Sequence, residues 1–482
     1  MSTLFRANAN ASAASLALSL FLLIVAGCNS SAPSTSKTDG ATATRGVPQD
    51  VTAEEVAQRM LDKYRDATSY ADSAEYVQHY VVRGEGVERQ RPFFELSLAL
   101  ERPNRLRLTL QEAIAGSQQG GQSYDVACDG EQLRVAVSAL EDQVLVAPAP
   151  DQITSDNFLP DPMLRDTLVS QSLGNVFPQL AMLLNSSDDE LVFPEDGPPE
   201  LLPSDKIDGR PCYRLASESP AGRRVLWIDQ EDATLRRMEL PIAAQQEELD
   251  PEGDFMEHSV WIDFRAPTFD AEIDDATFEL QIPEQAVAVT QLTPPAPEGP
   301  RAEIGREVSE LVFYDAAGDK RPLTDYAGQV VVLDFWQIDC PPCKEQAPRL
   351  AEVRDALGDA ATGDEPQVVF VGAYVDRKST PAEQIAKVWQ SWGGDFPWLA
   401  DRDRDTRELL NIHATPTLVV LDGDARVQLW QPGLVENPAL LQQAIEDLLA
   451  GKDLAAEARA AHEARLAEHR REVESHRWEP AE

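Results

Sequence analysis

The sequence predicts a multidomain protein in which an N-terminal antiparallel β half-barrel with helices (α+β) is followed by a C-terminal α/β domain. Residues 70–290 contain strand-like segments separated by turns such as Asp-Gly. The proline-rich stretch 293–300, TPPAPEGP, then interrupts both strand and helix patterns. After it, apolar strand segments alternate with helical ones, which is typical of an α/β fold. The 482 residues are enough for two or three such domains.

The N-terminus has the features of an export signal. Residues 13–27 are apolar but too short to span a bilayer comfortably, and Arg6 precedes them. Small residues lead directly into Cys28, which resembles the bacterial lipobox, where the cysteine is lipidated and becomes the mature N-terminus. A plain small-residue cleavage site is the alternative. We therefore expect a lipoprotein signal peptide at 1–27, a flexible tether at 28–50, and a lipid anchor in the cell envelope, facing the periplasm.

Composition limits the partners and the disulfides. The net charge of −41 argues against a nucleic-acid or anionic-lipid binding surface. Besides Cys28 there are four cysteines, too few for a disulfide framework in an oxidising compartment. Cys128 and Cys212 lie beside turns in the first domain, and both a disulfide and two buried thiols fit the sequence.

The first domain, 51–290, is expected to begin with a helix and continue as strands. Thr52 and Glu55 form a T-x-x-E capping box. Apolar residues then recur at helical spacing, and a second helix is predicted at 172–184. The predicted strands include SAEYVQHYVV, PFFELSLALER, NRLRLTL, EQLRVAV, RRVLWID and HSVWIDF.

Several of these phrases resemble the LolA/LolB-type lipoprotein carriers. The similarity rests on ERPNRLRLTL, DVACDGEQLRVAV, DGRPCYRL, RVLWIDQEDATLRRMEL and DDATFELQIPEQA. It implies a half-barrel that binds acyl chains or another apolar ligand, but it transfers no ligand contact to a numbered position. A β-rich scaffold is the alternative interpretation.

A proline-rich linker is predicted at 291–302, and the α/β domain at 303–450. Its central feature is C-x-x-C between a buried strand and a helix, which places Cys340 at the helix N-terminus and Cys343 one turn inside. The partial positive charge of a helix N-terminus stabilises a thiolate, the species that attacks disulfides. Pro341 and Pro342 suit the first helical positions, where their missing N–H groups cost little.

Thiol exchange has two alternatives, a structural zinc site and a purely structural disulfide. A structural zinc site needs four ligands, and no second C-x-x-C or histidine pair accompanies Cys340 and Cys343. A purely structural disulfide across two residues would constrain the unfolded chain little. We therefore expect neither a metal ion nor an organic cofactor.

This segment resembles the thioredoxin superfamily, especially the exported TlpA/ResA-like thiol–disulfide oxidoreductases. The similarity rests on GDKRPLTDYAGQVVVLDFW, CPPC and FPWLADRDRDTRELLNIHATPTLVVLDGDARV. It implies a thioredoxin fold, protein thiol or disulfide substrates and a separate redox partner. Pro416 then matches the cis-proline of the active-site loop, where the Thr415 backbone can pair with a substrate strand. Candidate substrate contacts are Trp336, Pro341, Pro342 and Thr415.

Two acidic residues bear on the chemistry. Asp334 matches the buried acid of thioredoxin, and its raised pKa would let it take a proton from Cys343. Asp339 departs from the family, which usually has tryptophan before the first cysteine. A carboxylate beside Cys340 opposes thiolate formation and favours reduction of substrates. A peroxidase is less well supported, because no P-x-x-x-T-x-x-C run surrounds Cys340.

The tail, 451–482, is strongly helix-forming and carries charges of both signs. His462, His469 and His476 recur every seven residues, about 10.5 Å apart along a helix, too far for one metal ion. A solvated helix is expected, with a partner-docking helix as the alternative. The sequence as a whole predicts an anchored thiol–disulfide oxidoreductase, and the competing class is a non-enzymatic carrier whose thioredoxin-like unit is an adaptor.

Overall fold

The computed structural model describes residues 51–84, 86, 88–113, 121–168, 176–184, 199–219, 222–242, 254–362, 366–375 and 379–480. The expected signal peptide, Cys28 and the tether lie outside these ranges. The described chain divides into two compact units. The first unit contains the described residues up to Ala296 together with those from Arg470 onward. The second unit is Pro297–His469.

The first unit begins with helix α1, Ala53–Asp66. Its N-terminus has the predicted capping box: the Thr52 hydroxyl accepts from the Glu55 N–H at 3.2 Å, and the Glu55 carboxylate accepts from the Thr52 N–H at 2.9 Å. Both bonds satisfy N–H groups that a helix start leaves unpaired. The apolar face expected from the sequence is buried, at Val56, Met60, Leu61 and Tyr64.

In the described part of this unit, thirteen strands form one sheet. Its path runs β13-β6-β5-β4-β3-β2-β1-β11-β10-β9-β8-β7, with β12 pairing β1. Neighbours are antiparallel except β13 and β6. Among the described residues the end strands β7 and β13 do not pair, so the sheet is open. The strands are β1 Ser69–Val82, β2 Glu88–Glu101, β3 Arg105–Glu112, β4 Ser123–Asp129, β5 Gln132–Val137, β6 Gln143–Pro148, β7 Glu200–Ile207, β8 Arg210–Ser219, β9 Gly222–Asp229, β10 Leu235–Glu239, β11 Phe255–Phe264, β12 Thr268–Phe269 and β13 Val287–Val289.

One face of this sheet carries the main core of the unit. Alternate strand residues pack there against α1, α2 (Pro162–Leu168) and α3 (Pro178–Leu183). Helix α3 covers the end of the helix predicted at 172–184, of which residues 172–175 are outside the described ranges. The unit's short 3-10 helices are Ser138–Leu140 and Asp275–Phe278. An α+β unit with a long antiparallel sheet is thus confirmed, and its own helices cover the apolar face.

The second unit is a mixed sheet ordered β15-β14-β18-β17-β16-β19-β20. Its strands are β14 Val312–Tyr314, β15 Lys320–Pro322, β16 Val330–Trp336, β17 Val368–Tyr374, β18 Trp398–Ala400, β19 Thr417–Leu421 and β20 Val427–Pro432. The helices are α4 Pro341–Ala356, α5 Asp359–Thr362, α6 Ala382–Ser391, α7 Asp405–Leu409 and α8 Pro438–Leu449, with a 3-10 helix at Leu323–Tyr326. Helices lie on both faces of the sheet, but the two faces differ in how much helix packs on them. The longer helices α4, α6 and α8 share one core, while the opposite core receives the end of α7.

The C-terminal helix α9, Leu454–Ser475, corrects the expectation of a solvated helix. Ala455, His469 and Val473 are at most 7% exposed, so one side of the helix is buried and not solvated. From Arg470, within the last turns of α9, the chain belongs to the first unit. The Trp478 N–H donates to the Ala288 carbonyl at 2.8 Å, so the tail extends the edge of β13.

Removing residues 470–482 should therefore destabilise the first unit by about 2–4 kcal/mol, through lost burial of Val473 and lost backbone hydrogen bonds. Denaturant unfolding of the truncated and full-length chains measures the difference. Removing only the last four residues is the matched control, because Glu479 and Pro480 are exposed. Equal stability of all three proteins would show that the tail contacts contribute nothing.

Candidate active site

The predicted redox segment sits at the end of the central strand of the second unit. Strand β16 pairs with β17 in parallel and β19 antiparallel, and all seven of its residues are buried. The chain leaves β16 at Trp336 and turns through Asp339, which has a φ of 65°. Aspartate tolerates this left-handed conformation better than most residues do. Helix α4 then begins at Pro341, so the strand delivers Cys340 to a helix N-terminus.

The two cysteines are joined in a disulfide, with their Cα atoms 5.3 Å apart. Cys340 is the N-cap residue of α4, and its Sγ accepts a hydrogen bond from the Cys343 N–H at 3.2 Å. Cys340 is 5% exposed and Cys343 is fully buried. The helix N-terminus thus directs an N–H group at the sulfur of Cys340, the more accessible of the pair.

The loop before β19 lies against this sulfur. The Thr415–Pro416 peptide bond is cis. The Thr415 carbonyl oxygen is 3.6 Å and its hydroxyl 3.7 Å from Cys340 Sγ. His413 and Ala414, just before it, are exposed, while Pro416 is buried. Residues 75 apart in sequence therefore meet beside the disulfide.

Asp334 is fully buried in β16 on the face that carries the disulfide. Val332 and Trp336, which flank it at alternate positions of the strand, share one apolar cluster with both cysteines. Burial raises the pKa of Asp334 to about 7, although a hydrogen bond from Gln346 opposes the shift. Among the described residues its Oδ2 atom has no hydrogen-bond partner. This carboxyl group can therefore exchange a proton near neutral pH.

Gln346 is the residue that the sequence reasoning missed. It is fully buried, and its Nε2 donates to Asp334 Oδ1 at 2.6 Å. Its Oε1 accepts from the Val435 N–H at 2.9 Å. Gln346 follows Cys343 by three residues on α4, so helical spacing alone could have placed both on one face.

Trp336 forms the wall behind the site. Its ring stacks on Trp389 with centroids 4.8 Å apart and meets Tyr374 and Trp392 edge-on. Trp336 is fully buried in this oxidised form, so it supports the disulfide region from behind and is not exposed as the expected substrate contact would be. Pro341 and Pro342, by contrast, are exposed beside Cys340.

The two other cysteines of the folded chain do not pair. Cys128 packs in the main core of the first unit, whereas Cys212 belongs to a small cluster with Trp227 on the other face of the same sheet. Burial raises the pKa of both thiols, that of Cys212 to about 11. Both are therefore inert buried thiols, and the disulfide left open by the sequence is absent.

Metal-binding clusters and membrane-spanning helices are both absent from the described residues. They contain no group of three or more histidine, cysteine or acidic side chains arranged to hold a metal ion. No helix within them is both long and apolar enough to cross a membrane.

Known proteins resemble each part of the chain separately. Residues 304–429 match the AhpC/TSA family. Thiol-disulfide oxidoreductase ResA of Geobacillus kaustophilus is 27% identical over 125 residues, which cover 26% of this chain and 67% of that protein. The second unit has thioredoxin-like thiol–disulfide oxidoreductases as homologues. Thioredoxin-like protein YneN of Bacillus subtilis is a further relative, 25% identical over 26% of this chain and 68% of its own.

Residues 53–292 match a family described as "Predicted periplasmic protein (DUF2092)". Among solved structures, a putative thiol:disulfide interchange protein DsbE from Chlorobium tepidum has a TM-score of 0.27 and 22% identity, covering 30% of this chain and 97% of its own. The MTB dsbF structure has a TM-score of 0.25 and 20% identity, covering 29% and 96%. The relatives matched by residues 304–429 support a thioredoxin-like second unit, and a different family matches residues 53–292.

Proposed function

We propose that this protein is an extracytoplasmic thiol–disulfide oxidoreductase that reduces disulfides of other proteins through Cys340 and Cys343. The observation that carries the proposal is the bonded cysteine pair at the N-terminus of α4, facing the Thr415–Pro416 loop. Homology to thiol–disulfide oxidoreductases supports the same reaction. Turbidity from the reduction of insulin, with dithiothreitol as electron donor, tests it directly.

The reaction would begin from the reduced dithiol. The Cys340 thiolate attacks a substrate disulfide, forming one mixed disulfide and releasing one substrate thiolate. Asp334 in its ionised form then accepts the proton of the Cys343 thiol. The Cys343 thiolate attacks Cys340 Sγ, and the second substrate sulfur leaves with the bonding electrons. Two electrons have passed to the substrate, and a dithiol partner must restore the reduced pair.

The loop at 413–415, whose first two residues are exposed, supports a role in substrate binding. Its position beside Cys340 would let an extended substrate segment pair with Thr415, while Pro341, Pro342 and Pro416 shape the groove. Backbone pairing recognises an extended chain without requiring one side-chain sequence. The proposed substrates are therefore disulfides in exposed, extended segments of proteins.

The direction of electron flow is proposed from Asp339. Its carboxylate is exposed and adjacent to Cys340, so it disfavours the thiolate and with it the reduced form. A pair whose reduced form is less favoured gives up electrons more readily. Substrate reduction is the direction that this charge supports.

Replacing Asp339 with Asn should increase the thiolate fraction of Cys340 at pH 7 about twofold to threefold, because a neighbouring negative charge is removed. Asn is the suitable substitute because it tolerates the left-handed backbone at this position, with a φ of 65°. Thiolate absorbance during a pH titration of the reduced protein measures the change. Asp359→Asn, an exposed carboxylate at the start of α5, is the control. Coincident titration curves for wild type and the Asp339 variant would remove the basis for a reductive bias.

Anchoring through a lipid on Cys28 is proposed from the small residues that precede it. The periplasmic description of the family matched by residues 53–292 supports the same compartment. Replacing Cys28 with Ser should move the protein from the membrane fraction to the soluble fraction of fractionated cells, since a polar tether does not bind lipid. Unchanged membrane association of this variant would contradict the lipoprotein proposal.

The competing proposal is a non-enzymatic lipid or lipoprotein carrier or scaffold, with a LolA/LolB-like half-barrel and a thioredoxin-like adaptor. The apolar face of the long antiparallel sheet supports it. An apolar ligand would have to share that face with α1, α2 and α3, which already pack on it. Insulin reduction separates the two functions, since a carrier needs no dithiol chemistry.

A further inference from the structure

The buried amide of Gln346 connects the acid of the site to a backbone group. Two polar contacts hold it, the Val435 N–H at 2.9 Å and Asp334 Oδ1 at 2.6 Å. A backbone N–H can only donate, so it requires the oxygen of the amide on its side. The amide nitrogen must then face Asp334. The orientation of the Gln346 side chain is therefore determined by Val435.

This orientation also determines where the Asp334 proton can be. Oδ1 accepts the N–H of Gln346, so a proton on Oδ1 would compete with that hydrogen bond. The neutral acid consequently carries its proton on Oδ2, the buried atom that has no partner among the described residues. Oδ2 is also the oxygen left free to accept a proton when the carboxyl group is ionised.

We propose that Gln346 is a positioning residue, which directs proton exchange to Asp334 Oδ2 and sets the pH at which Cys343 is deprotonated. The inference rests on the proton role proposed above for Asp334. The proton of Cys343 Sγ moves to Oδ2, and the resulting thiolate attacks Cys340 Sγ and expels the substrate thiolate. Gln346 itself gains and loses no proton in this step.

Two substitutions separate this role from simple packing. Gln346→Met keeps the side-chain length but removes the donor that stabilises ionised Asp334. The pH midpoint for resolution of a mixed disulfide should rise by about one unit. Gln346→Glu keeps an acceptor for the Val435 N–H but places a second carboxyl group against Asp334. Two buried carboxyl groups then share one proton, and the midpoint should rise further.

The experiment measures the release of thiol from a preformed mixed disulfide between Cys340 and a chromogenic thiol, in the full chain, across pH. Gln384→Met, at an exposed position of α6, is the matched control and should keep the wild-type midpoint. Asp334→Asn should abolish the pH step. The double variant Asp334→Asn with Gln346→Met should then behave as Asp334→Asn alone, since Gln346 acts through the carboxyl group.

Each outcome decides a different claim. If Asp334→Asn abolishes the step but both Gln346 variants keep the wild-type midpoint, the inference about Gln346 is wrong and the Asp334 role stands. Equal slowing of Gln346→Met at every pH would show a structural role only, which also overturns it. A wild-type pH step in Asp334→Asn would overturn the proposed proton role itself. If Gln346→Met fails to fold, the midpoint of Gln346→Glu decides.

Discussion

Replacing Asp334 with Asn should stabilise the oxidised protein against unfolding by about 2–4 kcal/mol at pH 8. Burial raises the pKa of this carboxyl group from 3.8 to about 7, so the folded protein either keeps a proton or carries an unpaired buried charge. A shift of this size corresponds to roughly 4 kcal/mol, because each pKa unit is about 1.4 kcal/mol. Asn removes the charge and can still accept from Gln346, but its extra N–H donor lacks a partner and reduces the gain.

The sign follows from proton binding. At pH values below about 4 the carboxyl group is protonated in both states and contributes no difference. Between pH 4 and 7 the unfolded chain releases this proton while the folded protein retains it, so the free energy of unfolding of the wild type falls. Above pH 7 the carboxyl group is ionised in both states, so the free energy of unfolding that the wild type has lost no longer changes with pH. The advantage of Asp334→Asn should therefore appear as pH rises through this window.

Denaturant unfolding of the second unit at several pH values measures the effect. Asp325→Asn, an exposed carboxylate before β16, is the matched control and should leave the stability curve unchanged. The same Asp334 variant should resolve mixed disulfides about tenfold to a hundredfold more slowly at pH 7, since a general base is lost. If the variant is more stable but resolves mixed disulfides at the wild-type rate, burial of Asp334 destabilises the fold and the residue takes no part in proton transfer.

Replacing Cys340 with Ser should reduce insulin reduction to the uncatalysed rate. The reason is that Cys340 is the more accessible of the two cysteines, caps α4 and lies 3.6 Å from the Thr415 carbonyl oxygen. The buried Cys343 cannot replace it as the attacking group. Retained activity in this variant would end the enzyme proposal and leave the carrier with a thioredoxin-like adaptor.

Cys343→Ser should allow attack on the substrate disulfide but trap the reaction at the next step. Attack by Cys340 proceeds, but resolution cannot, so a mixed disulfide with substrate accumulates and survives non-reducing electrophoresis. Mass spectrometry of the adduct should place the bond on Cys340. The control is a chain with both Cys128 and Cys212 replaced by Ala, which should keep activity because those thiols are buried in the other unit. Adducts that persist when Cys340 is also replaced would show reaction at a different thiol.

The sequence by itself determined the local elements and the chemistry that adjacent residues share. The capping box of α1, the Asp-Gly hairpins and the strand–C-x-x-C–helix order depend on neighbouring residues and on backbone preferences, so they are readable from sequence. The cis-proline loop at Pro416 was expected from the family resemblance and not from local backbone preferences. Of these features, the strand–C-x-x-C–helix order defines the redox pair of the second unit.

Only the tertiary structure decided which distant groups meet. Cys128 and Cys212 could have paired on sequence grounds, but strand alternation and sheet order place them on opposite faces. The charged tail looked solvated, yet Val473 is buried and Trp478 pairs with Ala288, because the edge of β13 offers an unpaired backbone. The role of Gln346 depends on its hydrogen bonds with Asp334 and Val435, which are twelve and eighty-nine residues away. Long-range pairing and burial depend on how the whole chain packs, so a local sequence pattern does not predict them.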